Sequence, residues 1–133
     1  MMNVSKTRIN VAVSIFLPAI LFLVSCKKNE LGGKSVVSGT VKHHSKVISG
    51  ATIFIKFGAK DFPGSDTLTY DSKVSCDASG NFKIDDFYKG DYYLYAVGKD
   101  YAIPYPYFVK GGITVTLRNN EKLNRDIAVT EGD

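Results

Sequence analysis

From Val36 onward the chain alternates between apolar and polar positions. Val37, Gly39 and Val41 share one side of a stretch that runs to His43. Ala51, Ile53, Ile55 and Phe57 share one side of the next, with Thr52, Phe54 and Lys56 opposite. A period of two sends successive side chains to opposite faces, so each stretch predicts a strand with one buried face. Thr67–Cys76 continues the pattern, with Leu68, Tyr70, Val74 and Cys76 in one phase. Asn81–Phe87 turns Phe82, Ile84 and Phe87 inward. Tyr92–Tyr101 sets Tyr92, Leu94 and Ala96 against Tyr93, Tyr95 and Val97. Ile113, Val115 and Leu117 alternate with Thr114, Thr116 and Arg118, and Leu123–Val129 closes the series with Ile127 and Val129 inward.

Turn chemistry separates these stretches. Pro63-Gly64-Ser65-Asp66 and Lys89-Gly90-Asp91 interrupt the alternation, and Ile103–Gly112 reads as a loop carrying Pro104-Tyr105-Pro106-Tyr107. Asp77-Ala78-Ser79-Gly80 reads as a tight hairpin turn, with the Asp carboxylate serving backbone N–H groups and Gly80 supplying a positive φ. No 3.6-residue apolar period occurs after Cys26, so helix content is expected near zero. Seven strands in roughly 95 residues predict an all-β, immunoglobulin-like antiparallel sandwich.

The N-terminus follows a different pattern. Lys6 and Arg8 precede a mostly apolar run, Val11–Val24, with Pro18 inside it. A helical span needs about 20 apolar residues, so the run is short for a membrane crossing and suits a secretory signal peptide. Its end, Leu23-Val24-Ser25-Cys26, resembles the lipobox of bacterial lipoproteins. That resemblance implies cleavage between Ser25 and Cys26, a diacylglyceryl group on the Cys26 sulfur, and Cys26 as the new N-terminus. Residues 1–25 are then removed, 26–35 form a lipidated tether, and 36–130 form the sandwich. Simple secretion and an uncleaved anchor are the alternatives. One acyl chain anchors only marginally, but the two or three that the resemblance implies hold a protein at the membrane. In Gram-negative bacteria such proteins go to the outer membrane unless a retention signal follows the cysteine. Lys27-Lys28 does not resemble the acidic retention signal, so the expected place is the bacterial cell envelope, at the outer membrane rather than the inner, with periplasmic or surface facing open. An acylated Cys26 leaves Cys76 unpaired, expected as a buried and unreactive thiol. A Cys26–Cys76 disulfide requires the lipobox reading to fail.

Charge narrows the partners. The 133 residues carry a formal +4, but without residues 1–25 there are fifteen basic side chains against thirteen acidic. They are interspersed, with no basic block after Lys27-Lys28, whereas nucleic acid requires a concentrated basic face. Nucleic-acid binding is therefore excluded as an expectation.

Four short motifs occur in order: Ser38-Gly39-Thr40-Val41, Ser49-Gly50-Ala51-Thr52-Ile53, Asp77-x-x-Gly80-x-Phe82 and Gly90-Asp91-Tyr92-Tyr93-Leu94. Together they resemble the carboxypeptidase regulatory-like domain, one of the transthyretin-like, prealbumin-type β-sandwiches. The resemblance covers residues 36–130. It implies a non-catalytic domain, of a kind appended to enzymes, outer-membrane receptors and surface proteins, in which the Gly, Asp and Tyr are architectural. Cys76, where that family has a threonine, and the longer Phe57–Thr67 connection depart from its pattern.

Few residues suggest chemistry. His43 and His44 are adjacent, so on a strand they point to opposite faces and cannot easily chelate one metal. The chain lacks a G-x-S-x-G elbow, and it lacks the C-terminal Tyr-Arg-Gly-Ser of the small transthyretin-like hydrolases of 5-hydroxyisourate. The Asp77 loop fails as a calcium loop, having Phe82 where glycine is needed and Tyr88 where glutamate is needed. No enzyme activity, metal or cofactor is expected. The tyrosines are the remaining lead. With the Tyr92 face in the core, Tyr93 and Tyr95 lie on the outer surface, and Tyr105 and Tyr107, with Tyr101, sit at one end of the same sheet as a candidate binding face. A loop folding back over them is the alternative. The leading expectation is an anchored, non-catalytic sandwich that binds or scaffolds a partner protein at the envelope. A glycan-binding accessory comes second, and a transthyretin-like hydrolase is a remote third.

Overall fold

A computed structural model describes residues 27–132. The apolar run, Ser25 and Cys26 lie outside the described residues. Among the described residues, nine strands form two sheets: β1 Leu31–His43, β2 Lys46–Val47, β3 Thr52–Phe57, β4 Ser72–Ser75, β5 Asn81–Phe87, β6 Gly90–Lys99, β7 Phe108–Leu117, β8 Lys122–Asn124 and β9 Ile127–Val129. The first sheet is built on β1, with β5 and β2 antiparallel to it and β8 and β9 parallel to it. The second runs β4-β3-β6-β7 and is antiparallel throughout. Their facing sides enclose one core. Val37, Val41, Phe82, Ile84, Phe87, Ile127 and Val129 come from the first sheet; Ile53, Ile55, Tyr92, Leu94, Ala96, Val109, Val115 and Leu117 come from the second.

Most of the alternation is realised, and the departures have local causes. The predicted last strand splits in two because Arg125 and Asp126 arch over β1. The Arg125 N–H bonds the Ser38 carbonyl at 2.8 Å, and the Asp126 carboxylate accepts the Thr40 N–H at 2.9 Å. A Cβ on Gly39 would strike the Arg125 carbonyl, so the glycine is what lets the arch pass. Both halves pair parallel to β1, so the expected purely antiparallel sandwich is antiparallel in one sheet and mixed in the other. That split and the short, unpredicted β2 together bring the strands from seven to nine. Phe87 reaches the core out of phase with Ile84 because the β1–β5 register shifts between Ser35 and Val37.

The strand expected over Thr67–Cys76 is only Ser72–Ser75. Asp66 accepts the Leu68 N–H at 3.0 Å and caps a 3-10 turn over Thr67–Thr69, which breaks the phase. Leu68 is therefore 92% exposed, while Cys76 is buried as expected. Asp77–Gly80 makes the predicted turn, with the Asp77 carboxylate accepting the Ser79 and Asn81 N–H groups at 2.9 Å and Gly80 at φ 72°. It passes the chain from β4 in one sheet to β5 in the other, so it is not a hairpin. β7 begins at Phe108, inside the stretch expected to be loop. β1 begins at Leu31, inside the stretch read as tether.

Where the chain enters the domain it is fastened. Asn29 donates its N–H to the Lys89 carbonyl at 2.9 Å and accepts the Asp91 N–H on its side chain at 2.8 Å. The buried Tyr92 hydroxyl donates between the Tyr88 carbonyl at 2.7 Å and the Glu30 carbonyl at 3.0 Å, much like a tyrosine corner. Burial pushes this phenol up to about 12.

Candidate functional site

The candidate tyrosines belong to the outer face of the second sheet. Tyr93, Tyr95 and Val97 of β6 point away from the core. Tyr95 lies in register with Phe54 of β3 on one side and Gly112 of β7 on the other. At Gly112 a Cβ would stand 2.6 Å from the Tyr93 ring, so the missing side chain leaves room for that ring to lie across β7.

The segment from Gly58 to Asp71 folds back over this face. Phe62 reaches within 5.6 Å of the Tyr93 ring and 5.4 Å of the Tyr95 ring, centroid to centroid. Tyr70 stacks on Tyr95 at 5.7 Å and 21°, and meets Phe54 edge-on at 6.0 Å. Polar contacts hold the segment in shape. The Tyr70 hydroxyl donates to the Gly64 carbonyl at 2.9 Å, Lys56 donates to the Thr69 carbonyl at 2.8 Å, and Asp71 accepts the Phe57 N–H at 2.7 Å. Tyr95, expected on the outer surface, is thus on the outer face but only 4% exposed, and Tyr93 is half-buried. Strand alternation assigns faces; it does not say what a distant loop lays over them. Burial pushes the Tyr70 phenol up to about 12, with Tyr93 and Tyr95 adding to the effect, and raises the phenols of Tyr93 and Tyr95.

The second wall is the loop between β6 and β7. Tyr107 sits against Tyr101 at 5.1 Å and edge-on to Tyr105 at 5.5 Å. Tyr105 is 82% exposed and Tyr107 half-buried, so this pair of predicted residues forms a cluster apart from Tyr93 and Tyr95. Between the two walls runs a groove of about 750 Å³, floored by Tyr95, Val97 and Lys110. Ile103, Pro104, Pro106, Tyr107 and Phe108 form one side, Ser65 and Thr67 the other, and Glu131 and Gly132 close the rim. A second hollow of about 310 Å³ shares Ser65, Tyr95, Lys110 and Gly132 with it and extends to Phe62, Tyr93 and Gly111. All four predicted tyrosines belong to this region. Tyr93, Tyr95 and Tyr107 line the cavities, while Tyr105 stands beside them. Phe62, Lys110 and Glu131 complete the lining without having shown any pattern in the sequence.

A second cluster is buried at the end of β1. The Asp100 carboxylate, 4% exposed, accepts from Lys46 Nζ at 2.6 Å and from the Ala102 N–H at 3.0 Å, and pairs with His43 Nδ1 at 2.8 Å. The Lys46 ammonium, then His43 and the Ala102 N–H, hold this carboxyl well below the usual carboxylate range. The adjacent histidines do not point to opposite faces. His44 leaves the strand with φ 55°, and the two rings lie 4.5 Å apart. An Asp–His pair suggests a catalytic triad, but there the second ring nitrogen holds a nucleophile. Here His43 Nε2 is buried and has no hydrogen-bond partner among the described residues. Nor do the described residues contain a group of three or more His, Cys, Asp or Glu able to hold a metal ion. Cys76 is free, and burial, with Asp77 beside it, pushes its thiol up to about 11. It is a core side chain and a poor nucleophile.

No protein-family model matches the sequence and no curated protein is similar to it, so the carboxypeptidase regulatory-like resemblance rests on its motif residues alone. Two solved structures are similar in part. A protein of Parabacteroides merdae from the DUF3823 family has 16% identity and a TM-score of 0.45, over 74% of this chain and 47% of that one. A protein of Pseudomonas aeruginosa described as a candidate carbohydrate binding protein superposes with a TM-score of 0.54 at 14% identity, over 75% of this chain and 91% of that one. At that identity the likeness is one of fold, and the fold is a β-sandwich.

Proposed function

We propose that this chain is a non-catalytic, glycan-binding module of the bacterial envelope, held there by lipid on Cys26. The observation that carries the reading is the groove on the outer sheet face. It combines aromatic and proline surfaces (Tyr107, Phe108, Pro104, Pro106) with hydrogen-bonding groups on Ser65, Thr67, Lys110 and Glu131. Sugar rings present apolar C–H faces and a rim of hydroxyls, and a site for them needs flat apolar surfaces ringed by polar side chains. The fold's likeness to a candidate carbohydrate binding protein points the same way. Position supports it as well. β1 runs 13 residues from Leu31 to His43, roughly 40 Å at strand rise, and its far end meets Asp100 at the base of the tyrosine loop. A tether at Cys26 therefore joins the end of the sandwich away from that wall, leaving it open to a chain arriving from solution. An outer-membrane location fits the absence of an acidic signal after Cys26.

Titrating cellohexaose, xylohexaose, mannohexaose and chitohexaose into the ¹⁵N-labelled domain tests the reading. Saturable shifts at Lys110, Gly111 and the Tyr107–Phe108 amides are expected for at least one sugar; four flat titrations sink it. The anchor has its own test, since a Cys26→Ala chain should leave the membrane fraction. A partner protein is the second reading, favoured by the exposure of Leu68 at 92%, Tyr105 at 82% and Tyr101 at 73%. Crosslinking on intact cells that captures one envelope protein through Leu68 or Tyr105, with no sugar response, would replace the first reading by this one.

A further inference from the structure

We infer that Asp100 is the positioning residue that holds the aromatic wall of the groove in its binding shape, an inference that rests on the groove being the glycan site. The wall has little apolar packing to hold it. Tyr101, Pro104, Tyr105 and Pro106 are all exposed, and Ile103 alone in that stretch packs against the core. Asp100 supplies the missing constraint at both ends of the loop. Its N–H donates to the Tyr107 carbonyl at 2.8 Å, its carbonyl accepts the Ile103 N–H at 3.2 Å, and its carboxylate accepts the Ala102 N–H at 3.0 Å. One residue thus closes the loop from first position to last.

The loop is also tied to the opposite sheet. Asp100 directly follows β6 of the second sheet, whereas its two side-chain partners, His43 and Lys46, flank the β1–β2 turn of the first. A carboxylate buried to this degree is tolerated only when its oxygens are paired, so the partners and the loop geometry depend on one another. An ionised Asp100 accepts only, so His43 donates to it from Nδ1. Its Nε2 is buried without a hydrogen-bond partner among the described residues, so the ring's one polar contact is with Asp100. Removing the carboxylate charge or the Lys46 ammonium frees the loop to sample other shapes. Apparent affinity then falls in proportion to the fraction of molecules that keep the binding shape.

The test compares wild type with Asp100→Asn and Lys46→Met. Each is titrated with the four hexaoses, and the ring resonances of Tyr101, Tyr105 and Tyr107 are followed by NMR. Asp100→Asn is expected to weaken hexaose binding about tenfold, as it would if one molecule in ten kept the wall ordered. The three loop rings should move toward free-tyrosine shifts while the Tyr92 and Tyr95 rings stay in place. Lys46→Met should do the same in smaller measure. Its side chain is 55% exposed, so this variant carries the test if Asp100→Asn does not fold. Loop resonances unchanged in both variants overturn the inference, as do shifted resonances with undiminished hexaose affinity. If no hexaose binds wild type, the glycan reading fails, and the ring resonances alone decide whether Asp100 holds the loop.

Discussion

Replacing Tyr95 with alanine tests whether the outer aromatic stack holds the 58–71 segment onto the sheet. Tyr95 is 4% exposed on a face that alternation assigns to solvent, and its cover is Phe62 and Tyr70. Deleting a buried aromatic side chain costs about 3–5 kcal/mol, with the spread set by how well the site can collapse. A surface segment can settle into the gap more easily than a core can, so the low end applies, about 3 kcal/mol. For a domain of this size each kcal/mol moves Tm by about 4–8 °C, so Tyr95→Ala should lower Tm by about 12–24 °C. Tyr95→Phe keeps the stack and removes only the hydroxyl, and should cost less than about 1 kcal/mol.

The stack itself is tested by a double-mutant cycle in urea with Tyr70→Ala. If the 5.7 Å stacked contact contributes as aromatic pairs do, the double variant should lose about 0.5–1.5 kcal/mol less than the two single losses together. Limited proteolysis should cut Tyr95→Ala within residues 58–71 before the rest of the domain. A Tyr95→Ala loss below about 1 kcal/mol, with the cycle additive to within about 0.5 kcal/mol, would refute the reasoning. The segment would then be held by its own polar contacts from Lys56, Asp66 and Asp71.

Two further predictions concern buried acids. In a Cys26→Ala chain at pH 8, Ellman's reagent should leave Cys76 almost untouched until urea is added. Burial and Asp77 push its thiol up to about 11, so the reactive thiolate is scarce; immediate stoichiometric reaction would contradict the buried placement. Tyr92→Phe should cost about 1–1.5 kcal/mol at neutral pH through the lost bonds to the Tyr88 and Glu30 carbonyls. Its phenol is raised from about 10 to about 12, so its contribution is complete below pH 10 and is lost as pH rises toward 12. Tyr92→Phe should therefore show a shallower alkaline fall in stability than wild type, with Tyr70, Tyr93 and Tyr95 supplying the remainder; an unchanged slope would argue against the raised value.

The core was legible because its signal is local. Each of Val37, Val41, Ile53, Ile55, Leu94, Val115, Ile127 and Val129 is buried where a period of two puts it. The errors came from positions decided by a distant backbone. The Thr67–Cys76 alternation looked like one strand because nothing in its composition reveals that Asp66 caps a turn there, which sends Leu68 outward. The split at Arg125–Asp126 depends on Gly39, some 86 positions earlier. The two histidines face each other because His44 takes a left-handed conformation, which adjacency alone does not reveal. For the site, alternation marked Tyr93 and Tyr95 as outward, and composition marked Tyr105 and Tyr107. Phe62, Lys110 and Glu131 gave no signal, since Phe62 joins the site only once the long Phe57–Thr67 connection folds back, Lys110 only through its register with Val97, and Glu131 only through the pairing of Thr130 with Lys110.

That division between a locally coded core and a loop-built site has a consequence for how the groove can change. Its floor is fixed by the β6-β7 register, in which Val97, two residues on from Tyr95, lies beside Lys110. Both walls are loops, held by separate polar clusters, Asp66 and Asp71 on one side and Asp100 on the other. Loops of this kind tolerate substitution and insertion far better than strands that share a core. The shape of the groove can therefore shift through residues 58–71 and 100–107 while the sandwich, its tyrosine corner and the Asn29 contacts stay as they are. The longer Phe57–Thr67 connection, which departs from the regulatory-like pattern, is one of those walls.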